Sequence, residues 1–549
     1  MERVARLVAV GLALIAASSA SSVTRDADKP TVDLGYEVHQ GTVNSTGNYY
    51  IFSNVPYAEQ PIDALRFQKP TAPTGNFSDV NKGTNDVMCM QAYPLWIIQL
   101  LASDNKTAYA AKTDEFLDAA GQTEACLVLD VRVPVDVFEA GSAANAPVIV
   151  WIHGGGFTYG SKSSDGNPAG LIARSQADGG DGVIVVSINY RLGLFGWLAG
   201  DDVTPNLGLY DQRLALEWVQ QYIGLFGGSP ERVTVMGESA GASSVVHHIT
   251  AYGGTEPAPF QSAIPQSPAF QFNIDLAEAY QKTLTEASSQ TGVTVNGVAA
   301  LSELSSATLS SVNQAVVYNA AMGLFVYGVG PDGTYVPKIP QILLYEGNFN
   351  HDINLMISHT SNESVPFTPT NISTSADLLA EVYANFPEAS NDTITTLLTD
   401  IYPDVLDGTY PWTTQFARAV QIASEIQFSC ITGYLARAAA GASHNYVFAY
   451  PPGYHAADLP YVWLNGEGAV DDGLPVDANL ARALQYYIVA FARSGDPNAG
   501  LGGEAVEFPV YGDGGAVLKL AYGGFVVGVD DVKNERCDWI QQAMVDGLI

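Results

Sequence analysis

The pentapeptide Gly237-Glu238-Ser239-Ala240-Gly241 closes a strand-like run, Val233 to Met236, and opens the small-residue stretch Ala240 to Ser244. A serine on so tight a strand-to-helix turn is forced into strained backbone angles, and only small residues two positions to either side avoid a clash. The turn exposes the hydroxyl and aims it at the positive end of the following helix. The chemistry this suits is nucleophilic attack on an acyl carbonyl. With 53 glycines in the chain the pattern also arises by chance, so these five residues alone leave an ordinary tight turn as the alternative.

A second signal lies upstream, where Trp151 to Gly160 reads WIHGGGFTYG directly after another strand-like run. Consecutive glycines let bare backbone N–H groups turn toward a ligand without side-chain obstruction. Such donors stabilise the oxyanion of a tetrahedral intermediate. Taken alone the tract reads rather as a flexible glycine loop. Paired with a nucleophile, it places the Gly155 and Gly156 N–H groups beside that of Ala240 as a candidate oxyanion hole.

The elements that must position these residues follow from periodicity. Val148 to Ile152, Val183 to Ile188 and Arg232 to Met236 read as buried strands, and Leu209 to Ile223 has apolar residues at helical spacing. Strand, helix and strand in this order imply right-handed crossovers and a large, mostly parallel mixed β-sheet flanked by helices, an α/β architecture. Gln415 to Ala439 and Asn479 to Arg493 read as longer helices, the second ended by the breaker run Ser494 to Asn498. With no repeat or linker-like block, residues 21–549 read as one unit.

Composition bounds the partners. Hydrophobic residues are 47% of the 549, enough for a large core. Against 24 basic residues stand 57 acidic ones, a formal charge of −33 that disfavours nucleic acid and anionic membranes. Residues 1–20 read as an export signal: Arg3 and Arg6, an apolar run from Leu7 to Ala17 too short to span a bilayer, then small residues to Ala20. The expected product is an exported, extracellular chain. Four cysteines in such a chain are expected to pair, with three connectivities possible. Asn44, Asn76, Asn105, Asn362, Asn371 and Asn391 each open an N-x-S/T glycosylation pattern.

Several further stretches carry a resemblance. They include VPYA at Val55 to Ala58, LRFQKP at Leu65 to Pro70, EACLVLDV at Glu124 to Val131, HGGGF at His153 to Phe157, and the long run from Asn206 to Ala242. PDGTYVP at Pro331 to Pro337, FARSGDPN at Phe491 to Asn498 and CDW at Cys537 to Trp539 complete the set. Together they resemble the type-B carboxylesterase and lipase family of α/β-hydrolases, close in style to secreted fungal lipases and carboxylesterases. The resemblance implies a serine carboxylic-ester hydrolase working through an acyl-enzyme on Ser239. It points to His455, in GYHAADLPYVW, as the general base among eight histidines. Glu363, in LMISHTSNESVPF, is then the acid, with Asp352 a distant rival and Ser364 standing where the family usually has glycine. It also implies the disulfides Cys89–Cys126 and Cys430–Cys537. Because a triad acid should be buried against its histidine, Asn362 is expected to carry no glycan, while Asn44, Asn76, Asn105, Asn371 and Asn391 remain candidates.

Between Cys89 and Cys126 lies the apolar run YPLWIIQLLASD. In related fungal lipases the corresponding loop is a mobile flap, so 91–104 reads either as a lid over the acyl site or as a helix packed on the core. Apolar acyl esters, small or lipidic, are the expected substrates, with a transient lipid interface conceivable. No cofactor or metal is expected, since acyl transfer by serine needs neither and no metal-ligand spacing stands out. A choline-ester specialist and a catalytically silent adhesion module are the alternatives.

Overall fold

The computed structural model describes residues 23–24, 29–75, 80–101, 121–177, 180–271, 275–466, 470–471, 474–502 and 506–549. The expected export signal at 1–20, Asn76, Asn105 and positions 102–120 of the disulfide loop lie outside the described residues.

The framework is an eleven-stranded sheet. In chain order its elements are β1 (Thr42–Asn44), β2 (Tyr49–Pro56), α1 (Leu95–Leu101), β3 (Val128–Pro134), β4 (Ala146–Ile152), β5 (Ile184–Ile188), α2 (Leu207–Tyr222) and β6 (Gly228–Glu238). There follow α3 (Ala240–Ile249), β7 (Ser262–Gln266), β8 (Asn354–Thr360), α4 (Gln415–Ser424), α5 (Cys430–Ala438), β9 (His444–Phe448), α6 (Ala478–Ser494), β10 (Ala516–Ala521), β11 (Gly524–Val529) and α7 (Glu535–Val545). Spatially the strands run 11-10-9-8-7-6-4-5-3-2-1. The block from β10 to β5 is parallel. Antiparallel pairing is confined to β11 at one edge and β3, β2 and β1 at the other.

Because helices cover both faces, the central strands read as apolar runs rather than alternating ones. All seven residues of β4 are buried. Its side chains still obey the period of two, with Val148, Val150 and Ile152 joining the core on one face and Ile149 and Trp151 the core on the other.

The expected strands are all present, β6 extending further in both directions, and the helices expected at 209–223 and 479–493 are α2 and α6. The helix expected over Gln415 to Ala439 is not continuous. Glu425–Ser429 forms a π-helical turn between α4 and α5. Such turns have no hydropathy signature, because the apolar stripe passes through them, and they recur at functional sites.

Both disulfides, Cys89–Cys126 and Cys430–Cys537, are formed. Among the described residues no helix is long and apolar enough to cross a membrane.

Candidate active site

Ser239 stands between β6 and α3 at φ 56°, ψ −122°, a strained conformation for a residue with a side chain. Its surroundings over-determine the turn. A Cβ at Gly241 would lie 2.0 Å from the Ile152 carbonyl oxygen, and one at Gly237 would lie 2.7 Å from the Gly241 carbonyl carbon. The Ser239 N–H donates to the Gln266 carbonyl (3.1 Å), and its own carbonyl accepts from the N–H and hydroxyl of Ser243 (both 2.9 Å). Flanking glycines are therefore a steric requirement here.

The glycine tract folds against this turn. A Cβ on Gly154 would come within 3.1 Å of the Ser239 Cβ, and Gly155 and Gly156 both hold positive φ, 103° and 57°. Gly156 and Ala240 line one cavity with Ser239. Gly155 is packed beside the Tyr159 carbonyl, where a Cβ would have 2.1 Å, and is absent from the cavity lining. The rest of the wall is mostly aromatic, from Phe157, Phe270, Phe325, Phe367 and Phe428, with Gln271, Gln427 and His247 among its few polar side chains.

Glu363 and His455 come from the loops that follow β8 and β9, which are neighbours in the sheet. His455 Nδ1 and Glu363 Oε2 are 2.6 Å apart, with both side chains buried. The Thr360 N–H donates to the other Glu363 oxygen at 2.6 Å. Asn362 bridges the two loops, its N–H donating to the Gly453 carbonyl (2.8 Å) and its amide Nδ2 to the Pro452 carbonyl (2.8 Å). Ser364 has φ −91°, so the position does not demand glycine, and its hydroxyl ties the acid loop to the Val420 carbonyl of α4 at 2.7 Å. Asp352 is exposed at the far, N-terminal end of β8. Asn362 is itself exposed; only Glu363 and Ser364 of its acceptor pattern are buried, so the burial argument covers those two and not the asparagine.

The imidazole of His455 packs on Phe428 (centroids 4.8 Å) and edge-on to Phe367 (5.1 Å), both of the Ser239 cavity wall. The π-helical turn delivers Phe428 and Gln427 to that wall. His455 Nε2 is 3.1 Å from Glu238 Oε1, yet neither atom completes a hydrogen bond. Its proton or lone pair is thus not committed to Glu238.

Glu238 went unassigned in the sequence reading, although it precedes the serine; only the fold reveals that its buried carboxyl faces the imidazole. Burial pushes the Glu238 carboxyl well up, against the attraction of His455. Burial alone would depress His455, but Glu238 and Glu363 outweigh it and raise the imidazole to about 9. For Glu363 burial is likewise overcome, by the hydrogen bond and charge of His455, and the carboxyl is held below its usual range. Burial also lifts two nearby carboxyls, Asp458 and Asp165, each to about 6.

Of the apolar segment, α1 is described. Trp96, Ile97 and Ile98 are buried. The Trp96 indole donates to the Leu324 carbonyl (3.0 Å) and meets Phe325 and Phe367 edge-on at 5.4 and 5.6 Å, so α1 packs behind the cavity wall.

Among the other candidate sugar sites, Asn371 and Asn391 are exposed, and Asn44 is half-buried with its amide donating to the Tyr49 hydroxyl at 2.9 Å.

A family model described as the carboxylesterase family matches residues 30–538. Carboxylesterase patB of Aspergillus clavatus is 38% identical, the alignment covering 94% of this chain and 96% of that protein. Secreted lipase 1 of Botryotinia fuckeliana is 28% identical over 89% of this chain and 88% of its own. Among solved structures, EstA of Aspergillus niger superposes with a TM-score of 0.78 at 24% identity, covering 95% of this chain and all of that one, a likeness of fold.

Proposed function

We propose that this chain, which belongs to the carboxylesterase family and is a carboxylic-ester hydrolase, acts as an exported esterase that cleaves esters of apolar acyl groups through an acyl-enzyme on Ser239. In the first step His455 Nε2 takes the Ser239 hydroxyl proton as the oxygen attacks the ester carbonyl. The developing oxyanion is met by the N–H groups of Gly156 and Ala240, which line the Ser239 cavity, with Gly155, outside that lining, the third candidate donor from the same tract. His455 then returns the proton to the departing alcohol, leaving the acyl group on Ser239. Water, deprotonated by the same nitrogen, releases the acid and regenerates the serine. Glu363 holds the ring by Nδ1 and stabilises its charged form between the two proton transfers.

The single observation that carries this reading is the 2.6 Å contact between Glu363 and His455, made by a ring whose Nε2 remains uncommitted beside the Ser239 cavity. Because Glu238 and His455 are coupled, one proton distributes over the pair, and only the form with Nε2 unprotonated accepts the serine proton.

The aromatic wall supports an apolar acyl group. The packing of α1 behind that wall supports the reading of this segment as a helix packed on the core that braces the acyl site. The reading of 1–20, the two disulfides and a relative named as secreted support export. Exposed Asn371 and Asn391 are the glycan acceptors favoured by accessibility.

The test is Ser239→Ala assayed on p-nitrophenyl esters. Turnover should fall by about 10⁴-fold or more with the fold retained; a variant that keeps most of its activity contradicts the mechanism. Rates across a series of rising acyl length, below and above the solubility limit, should increase with apolar length if the aromatic wall binds the acyl group. A preference for charged or choline esters would overturn that part alone.

A further inference from the structure

A second imidazole in the same half of the sheet meets two carboxylates without being used by the ester chemistry. His359 is the next-to-last residue of β8, and Asp530 and Asp531 lie in the turn between β11 and α7. The Nε2 atom of His359 is 3.3 Å from Asp531 Oδ1 and 3.6 Å from Asp530 Oδ1. One donor atom from each of the three residues lies within 4.8 Å of the others.

The hydrogen bonds around the ring decide what Nε2 can do. Thr432 of α5 donates its hydroxyl to the Ser429 carbonyl at 2.7 Å, so toward His359 Nδ1, 3.2 Å away, it can only accept. One ring proton is therefore fixed on Nδ1, so the site opposite the two carboxylate oxygens is Nε2. It holds a second proton when no metal is bound, since burial is outweighed by the aspartates, which raise the ring to about 9, and it offers a lone pair once that proton is displaced. A proton on Nε2 or a metal cation can stand between these three groups. Their separations exceed those of charge-assisted N–H···O bonds, about 2.7–2.9 Å. The two distances from Nε2 are close to the roughly 3.3 Å edge of a tetrahedron built on bonds of about 2.0–2.1 Å. Asp530 is buried, its Oδ1 accepts the Val532 N–H at 3.3 Å, and the Tyr511 hydroxyl is the side-chain donor nearest the rest of its carboxylate. Asp531 is 57% exposed, which leaves a path of entry and room for a water ligand. Lys519 of β10, Tyr511 and Glu363 are the other ionisable groups facing the cluster, and none of them neutralises both aspartates.

We propose that His359, Asp530 and Asp531 bind a divalent transition-metal ion of the zinc class. One imidazole and two carboxylates, with a hydroxyl orienting the ring from its other nitrogen, form a nitrogen-and-oxygen donor set that zinc accepts, whereas calcium and magnesium take oxygen ligands. Two aspartates and a neutral histidine balance the charge of the ion. Bound there, it ties the turn before α7 to the end of β8, four residues ahead of Glu363.

The test is zinc titration by calorimetry on the full chain stripped with a chelator, with Co²⁺ as a spectroscopic substitute. The expected result is one saturable Zn²⁺ site per chain, visible d–d absorption with Co²⁺, and a raised melting temperature. Asp531→Asn should weaken binding at least about tenfold while ester turnover persists and reports an intact fold; Thr432→Val, which frees the tautomer, should weaken it about tenfold as well. Absence of saturable binding, or equal affinity in Asp531→Asn, overturns the site and shows the cluster to be a protonated histidine paired with aspartates.

Discussion

His455 and His359 are two buried imidazoles on neighbouring strands or the loops after them, each facing two carboxylates, and they differ in what holds Nδ1. For His455 the partner is the Glu363 carboxylate at 2.6 Å, which favours the charged ring and so supports a base that must carry a proton for part of each cycle. For His359 it is a hydroxyl whose own hydrogen is spent on the Ser429 carbonyl, which holds a ring proton on Nδ1 and leaves Nε2 facing Asp530 and Asp531. Burial is outweighed there too, and the aspartate charges raise this imidazole to about 9 as well. The carboxylates in front raise both rings alike, so the difference lies behind them, in a carboxylate that braces the proposed base and a hydroxyl that only fixes the tautomer of the proposed ligand.

Exchanging the anchors' chemistry breaks the comparison most severely. Glu363→Gln should lower kcat/KM by about 10³ to 10⁴, because the amide supports neither the tautomer nor the charge that His455 needs. Steady-state kinetics on a p-nitrophenyl ester measure this, and a loss below tenfold would break the contrast.

A different perturbation moves the serine while leaving both rings in place. Gly241→Ala puts a methyl 2.0 Å from the Ile152 carbonyl oxygen, so the elbow must shift. Urea unfolding should show a cost of about 1–3 kcal/mol with activity lost alongside.

The charge in front of the catalytic ring gives a smaller effect. His455 lies above the ordinary imidazole value, at about 9, so the inactive protonated form persists until the pH rises through that value, and activity is gained on the alkaline side. Glu238→Gln removes the largest raising charge, and the acidic limb of the kcat/KM profile should move to lower pH. An unmoved limb would show that Glu238 does not act on His455.

The smallest effect belongs to the other ring. Thr432→Val should leave ester turnover within about twofold, since its hydroxyl meets only His359 and the Ser429 carbonyl and neither lines the Ser239 cavity, and any larger loss would make the two clusters one system.

The chain order of strand, turn and helix around Ser239 was legible because steric demands there fall on adjacent residues, Gly237 and Gly241. The sheet strands were legible for a similar reason, as runs such as Val148 to Ile152 are buried on both faces. Glu363 and His455 needed the family resemblance, since 92 residues separate them and nothing local marks either. Three features stayed hidden. Glu238 looked like filler in the motif until β6 and the His455 loop converged. The break at Glu425–Ser429 kept its apolar stripe and so read as unbroken helix, although it carries Phe428 to the cavity. The pairing of His359 with Asp530 and Asp531 spans about 170 residues and matches no short ligand motif.

The most direct test of the central claim is to inactivate the wild-type enzyme with an organophosphorus ester and map the adduct by peptide mass spectrometry. The account predicts one phosphoryl group per chain, on Ser239, appearing in step with the loss of esterase activity and absent from Glu363→Gln on the same timescale. Inactivation with the label on any other residue, or full activity with Ser239 labelled, would contradict it.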